Sequence, residues 1–361
     1  MQIALIRSRG SSTGGAELYA TRLMTALVAG GHDVHLLAER WDNLPARVEL
    51  HPLEVNGSRA QRPVRLAEAA AATVARERFQ CVLSLERTAC QHVYRAGDGV
   101  HRIWLEQYRR FSPWWRRPFI GLGAFHRNVL NLERQTFDPT RTRHVIVNST
   151  MVRDEIVRCF GFPADRIHLV RNGVRTERFQ SGQRVATRAR LGIRPDEYVL
   201  LFVGSGWVRK GLPVLVDVLK RFHARRDPVK LIVVGKGRLR GAPPNVIFAG
   251  TTDSVQDYYA AADLFTFPPI YEPSANVVFE ALAAGLPVIT TVFNGAGEVL
   301  TPGIHGTILS DPADANALEH AIQTWRAKPG RIPFPTATID LDRNVAETVR
   351  ILEMAAVTGK P

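Results

Sequence analysis

The stretch Val-Leu-Leu-Phe-Val-Gly-Ser-Gly-Trp-Val-Arg-Lys-Gly, residues 199–211, decides how the chain is read. Residues 199–203 are apolar on both faces and too few for a helix, which is the pattern of a strand buried inside a parallel sheet. Three glycines, Gly204, Gly206 and Gly211, then punctuate a turn, and the periodic run over 212–225 predicts a helix. At such a junction the backbone N–H groups and dipole of the helix favour an anion. Arg209 and Lys210 add two fixed positive charges at the same place. Together these devices suit a diphosphate, both as a bound group and as a leaving group. An ordinary solvated turn could carry the same charges, but the strand–turn–helix setting weighs against that.

Outward from this stretch the alternation continues. Strands are predicted over 230–234, 246–248, 264–267 and 288–291, with a helix over 274–284. Upstream, the same alternation has already occurred once. Strands over 3–6, 34–38, 82–85 and 144–147 accompany a glycine-rich turn at 10–15 and a helix over 16–29 that Gly30-Gly31 ends. Asn148-Ser149 would cap a helix over 150–160. Two successive runs of this kind predict an α/β protein of two Rossmann-like, doubly wound domains facing a cleft. A linker is expected within 173–195, and a final helix over 341–356 stands apart from the second run.

The second chemical element is Glu272-Pro273-Ser274-Ala275-Asn276-Val277-Val278-Phe279-Glu280. Pro273 suits the first turn of a helix, and residues 274–276 would present free backbone N–H groups. Glu272 would stand before the helix and Glu280 two turns deeper on the same face. One carboxylate could then take sugar hydroxyls and the other ribose hydroxyls, with phosphate between them. On spacing alone, a capping acid and an exposed helix acid would be the favoured reading. The continuation, residues 281–291, favours the ligand reading because the helix ends at Gly285 and runs into a buried strand.

With these residues in view, the chain resembles the retaining glycosyltransferases of family four, which have the GT-B fold. The likeness rests on the Arg-Lys-Gly turn, the pair Glu272 and Glu280, and the run 280–291. It extends to Gly14-Gly15-Ala16-Glu17, Val147-Asn148-Ser149 and Asn172-Gly173-Val174, and so spans nearly the whole chain. Within that family the chain resembles the lipopolysaccharide core (heptose I) glucosyltransferases more closely than many other members. The resemblance implies an acceptor-side domain over 1–175, a nucleotide-sugar domain over 176–340, and a 341–361 crossover helix returning to the first. It implies that Arg209 and Lys210 hold the donor diphosphate, with Ala275, Asn276 and Val277 beside it. Glu280 would take the ribose, Glu272 the transferred sugar and, with less specific support, Glu298 the nucleotide. Gly14 and Gly15 would let the first loop approach the donor. The donor expected is a UDP-sugar, UDP-glucose first, used as substrate with no cofactor and no metal. The one Asp-x-Asp, Asp340-Leu341-Asp342, reads as a helix cap.

Residues 95–102, Arg-Ala-Gly-Asp-Gly-Val-His-Arg, follow a predicted strand in the first domain. Many members of the family that the chain resembles use a histidine hereabouts, and the lipopolysaccharide-core glucosyltransferases an aspartate. The resemblance therefore implies Asp98 first and His101 second as the polar catalytic group near the reacting sugar carbon, although a loop histidine is more often structural. Just beyond, residues 102–127 hold six arginines and one acid interleaved with aromatics. Arg109, Arg110, Trp114, Trp115, Arg116 and Arg117 would suit the headgroup zone of an anionic membrane. The same residue types could serve nucleic acid, or simply pack as a surface helix.

Bulk properties bound these readings. The formal charge is +13, and residues 1–180 carry 27 basic against 17 acidic side chains. Such a surface attracts anionic lipid, nucleic acid or a phosphorylated substrate. The three cysteines suit neither a disulfide framework nor a zinc site. No apolar run is long enough to span a bilayer, nor is the N-terminal one long enough for a signal-peptide core. The expected protein is a cytoplasmic enzyme docked peripherally on the inner membrane. Its partners would be a nucleotide-sugar and a glycolipid or oligosaccharide acceptor, and no nucleic acid. A GT-B-fold nucleotide-sugar epimerase and a basic nucleic-acid-binding protein are the rival readings. A nicotinamide dehydrogenase is weaker, because residues 10–15 lack the dinucleotide spacing.

Overall fold

The computed structural model describes residues 1–10, 15–328 and 330–357. The chain folds as two units, one of Met1–Arg171 with the stretch from Asp342 onward, the other of Asn172–Leu341.

The first unit holds β1 (Gln2–Ile6), β2 (Arg9–Gly10), α1 (Gly15–Ala29), β3 (Asp33–Ala38), β4 (Arg40–Trp41), β5 (Val48–Pro52) and α2 (Arg62–Glu77). It continues with β6 (Cys81–Ser84), β7 (Val93–Arg95), α3 (His101–Arg110), α4 (Ala124–Thr136), β8 (His144–Val147), α5 (Thr150–Phe160) and β9 (Ile167–Leu169). Seven strands form one parallel sheet in the order β5-β3-β1-β6-β7-β8-β9, while β2 and β4 pair separately. Strands β6 and β7 are buried along their whole length and β8 beyond its first residue, which is why they read as apolar runs and not as alternation. Ser149 caps α5 by accepting from Val152 N, and Gly161 ends it at φ 63°.

The second unit holds α6 (Thr176–Gln180), α7 (Arg184–Arg190), β10 (Tyr198–Val203), α8 (Leu212–Ala224), β11 (Val229–Val234), β12 (Val246–Gly250), α9 (Val255–Ala261) and β13 (Leu264–Thr266). Then come α10 (Asn276–Ala283), β14 (Val288–Thr291), β15 (Gly306–Leu309) and α11 (Ala315–Arg326). Its six parallel strands run β12-β11-β10-β13-β14-β15. Phe202, Phe265 and Phe267 stack in its core, packed with Leu215, Val278 and Phe279. The last helix, α12 (Leu341–Val357), packs on the first unit. There Tyr19 Oη lies 3.0 Å from Thr348 Oγ1, and Glu353 pairs with His32 at 3.3 Å.

The chain passes from the first unit to the second at Arg171–Asn172, and α6 and α7 occupy part of the 173–195 stretch in which the linker was expected. Arg184 and Arg188 anchor α7 on Asp263 and on the last carbonyls of α9. Helix α10 starts at Asn276, so Pro273 lies in the preceding loop and not in the first turn. Within residues 102–127, α3 ends at Arg110, an irregular stretch with one 3-10 turn at Arg117–Phe119 follows, and α4 begins at Ala124.

Candidate functional site

In an open α/β sheet, ligands collect beyond the strand C-termini where the strand order reverses. In the second unit that point lies between β10 and β13. Residues 204–211 leave β10 there, and 267–275 leave β13. The two loops lock together. Ile270 N donates to Arg209 O at 2.9 Å, and a Cβ on Gly211 (φ 80°) would lie 1.9 Å from Pro268 O. Gly204 (φ 146°) lets the Lys210 side chain fold over it, since a Cβ there would stand 2.8 Å from Nζ.

The charges follow from this packing. Arg209 Nη2 lies 3.1 Å from Glu272 Oε2, an atom that is buried and makes no hydrogen bond among the described residues. Lys210 Nζ sits 5.5 Å over the Phe267 ring and has neither hydrogen bond nor ion pair among the described residues. Burial lowers its pKa, as does Arg209, while Glu272 and Glu280 oppose the shift. A half-buried ammonium without a partner is costly unless an anion arrives.

Two asparagines hold the second loop. Asn172 Nδ2 donates to Asn276 Oδ1 at 2.8 Å and to Ser274 O at 3.2 Å. Asn294 Oδ1 accepts from Ala275 N at 3.2 Å, so that N–H is not free as the sequence suggested. Ser274 Oγ is buried with no hydrogen-bond partner among the described residues. On α10, Glu280 accepts from Tyr259 Oη at 2.8 Å. Burial raises its carboxyl above the ordinary range, against the Tyr259 hydroxyl, Arg178 and Lys210. Val277 stands beside it, half-buried. Glu298 is half-buried in a 3-10 turn, Gly295–Val299, that Asn294 caps. Sequence reasoning missed Tyr259, gave Asn172 only as part of the Asn172-Gly173-Val174 likeness, and assigned Asn294 no role.

In the first unit, Gly14 lies outside the described residues and Gly15 opens α1. Asp98 is exposed in the turn after β7. His101 opens α3, half-buried, with Nε2 3.1 Å from His126 Nδ1 and its ring stacked on Trp104 and His126. Burial, Arg87 and His126 lower its pKa to about 4, so it is neutral at pH 7. The loop is fixed from beneath by Glu133, fully buried, which accepts from His101 N, Arg102 N and Arg87 Nε. Arg87 Nη2 also donates to Gly99 O at 2.9 Å. This buried pair carries no local motif and was invisible in the sequence.

The stretch between α3 and α4 exposes Trp114 (78%), Trp115 (52%), Phe119 (73%) and Leu122 (63%) together. Arg116 lies over the Trp115 ring at 4.6 Å, and Arg110 over Phe111 at 5.2 Å. Arg109 and Arg117 have a structural task as well: they donate to Ile120 O and to Ser112 O and Arg110 O. No described helix is long and apolar enough to cross a membrane. One cluster among the described residues could hold a metal, His35, Glu49 and His51, and it includes none of the residues singled out above.

Two parallel, doubly wound units with an anion-seeking turn at the switch point of the second define a GT-B architecture. The family models agree: Glycosyltransferase Family 4 matches residues 13–178, and Glycosyl transferases group 1 matches residues 197–327. The chain thus carries the two domains of a family-four glycosyltransferase, one matched by each model. It is 24% identical to the lipopolysaccharide glucosyltransferase WaaG of Escherichia coli (strain K12), over 86% of this chain and 85% of that one. The crystal structure of WaaG, a glycosyltransferase involved in lipopolysaccharide biosynthesis, superposes with a TM-score of 0.78 at 23% identity, covering 99% of this chain and 98% of that one. An uncharacterised glycosyltransferase from Methanocaldococcus jannaschii is 28% identical, over 45% of this chain and 45% of that one. This chain thus aligns with less than half of that relative. The structure of Anabaena HepE in complex with UDP-glucose superposes with a TM-score of 0.66 at 18% identity, covering 99% of each chain.

Proposed function

We propose that this protein transfers a hexose, glucose first, from a UDP-sugar to a glycolipid or oligosaccharide acceptor of the lipopolysaccharide-core type. Transfer proceeds with retention and without a metal ion. The observation that carries this reading is the Lys210 ammonium, enclosed beside Arg209, Glu272 and Glu280 with no hydrogen-bond or ion-pair partner among the described residues. A diphosphate placed there is met by one free cation and one, Arg209, that Glu272 already holds in place. As the glycosidic bond to phosphate breaks, charge grows on the leaving oxygen, and fixed cations favour that change most. They supply what a divalent ion would otherwise supply. Glu280, with its carboxyl raised and Tyr259 beside it, suits neutral hydroxyls such as those of ribose. Ser274 Oγ and Glu272 suit the sugar. Asp98 and His101 are proposed as the polar groups of the first unit nearest the reacting carbon, His101 as a neutral ring.

The choice of donor and acceptor leans on the printed descriptions of WaaG and of the HepE complex. The exposed tryptophans and arginines between α3 and α4 support docking on an anionic leaflet, hence a cytoplasmic enzyme peripheral to the inner membrane. A thermal-shift panel of UDP-, GDP- and ADP-sugars tests the donor, because a ligand that binds only the folded state raises its melting temperature. UDP-glucose should give the largest rise. A flat response to all three would remove the nucleotide-sugar reading.

A further inference from the structure

On one edge of the seven-stranded sheet, β3 and β5 bring three ligand-type side chains together. His35 stands in register with Glu49, and His51 follows at the two-residue spacing that returns to the same face. His35 Nδ1 and His51 Nε2 face each other at 3.0 Å. Glu49 Oε2 is 3.5 Å from the first nitrogen, and Oε1 is 3.7 Å from the second. Ligand atoms that share one small ion at about 2.0–2.2 Å lie roughly 3–3.6 Å from one another. The observed separations are close to that set.

A hydrogen bond between the rings would account for the two nitrogens but not for Glu49. Its side chain is 65% exposed, yet its carboxylate oxygens stand over both nitrogens. Behind the cluster, Asp33 Oδ2 lies 3.3 Å from His35 Nε2, a buried atom that makes no hydrogen bond among the described residues. A carboxylate behind a histidine favours the proton on the nitrogen it faces, which leaves the lone pair of the other directed at a metal. For His35 that other nitrogen is Nδ1, the one facing His51 and Glu49. The Phe79 ring, 4.9 Å from His35 and 5.8 Å from His51, walls the apolar side. Glu49 leaves the solvent side open as an entry path.

We propose that His35, His51 and Glu49 form a binding site for a zinc-class divalent ion, completed by water, that ties the edge strand β5 to β3. Two imidazoles and one carboxylate select zinc-type ions over magnesium or calcium, which take oxygen ligands. None of the three belongs to the proposed donor or acceptor groups, so the ion would stabilise the first unit and leave sugar transfer independent of metal. The opposite edge gives an internal contrast. There His144 and His168 also face each other at 3.1 Å, across β8 and β9, but that pair belongs to no metal-holding cluster among the described residues.

The test uses metal-stripped full-length protein, titrated with zinc chloride and followed by calorimetry and by thermal unfolding. The wild type should bind one equivalent and melt at a higher temperature with zinc, with no response to magnesium. His51→Gln should abolish both effects, and Glu49→Gln should weaken binding about tenfold or more. If His51→Gln fails to fold, Glu49→Gln alone decides, since its side chain is largely exposed. No binding by the wild type in excess zinc would overturn the proposal. So would undiminished binding by the variants, because the ion would then sit elsewhere.

Discussion

At the scale of single residues, the structure turns two sequence signals into testable chemistry. Gly211 sits at φ 80° with Pro268 O where a Cβ would go. Gly211→Ala should therefore both strain the backbone and pry the two switch-point loops apart, at a cost of about 2 kcal/mol or more. Urea unfolding of the variant checks this, and an unchanged midpoint would contradict it. His101 offers a second test. Its pKa is about 4 in the folded chain, below the ordinary histidine value of 6.5, so between those values the unfolded chain binds the extra proton. Its contribution to stability is thus complete above pH 6.5 and is lost as pH falls towards 4. His101→Asn should flatten the fall in stability over that window. A variant with the same slope as wild type would show that the ring is more solvated than its packing implies.

At the scale of elements, the exposed stretch between α3 and α4 behaves as one unit. Arg109 and Arg117 staple it through backbone carbonyls, so replacing them would test folding as much as binding. Arg116 together with Trp114, Trp115 and Phe119 is the better target. Each basic side chain near an anionic leaflet contributes about 1 kcal/mol, and interfacial aromatics supply the second signal that reversible docking needs. The expectation is that the wild type sediments with anionic liposomes at low salt, less so at high salt, and not with neutral ones. Serine at those four positions should end sedimentation while leaving donor binding intact. If the wild type ignores anionic liposomes, the patch has another purpose.

At the scale of the whole molecule, the repeated strand–helix alternation made the doubly wound, two-sheet α/β fold legible before any coordinates. Most strands that were recognised are buried on both faces, where sequence composition is most distinctive, the edge strand β12 being an exception. Those that were missed are the edge strands β5, β9 and β15 and the short pair β2 and β4, and β5 reads Val-Glu-Leu-His-Pro. Helices α2 and α11 also went unrecognised, although Leu318, Ala321, Ile322 and Trp325 recur in α11 at helical spacing. The candidate site shows the same division. Arg209, Lys210, Glu272 and Glu280 announced themselves by spacing and context. The roles of Tyr259, Asn172, Asn294 and the Arg87–Glu133 pair did not, although Asn172 stood in the Asn-Gly-Val likeness, because they converge from distant positions and act through buried hydrogen bonds. Their identity depended on which strands became neighbours.

The central claim is that fixed cations at the switch point of the second unit, and no divalent ion, carry the donor diphosphate. The direct measurement is the rate of sugar transfer from UDP-glucose in the presence of EDTA, for wild type and for Lys210→Met. The account predicts full wild-type turnover in EDTA and a loss of tenfold or more in the variant, since a charge-assisted contact contributes about 1.5–3 kcal/mol. A strict requirement for added magnesium or manganese, or wild-type turnover by a folded Lys210→Met protein, would contradict it.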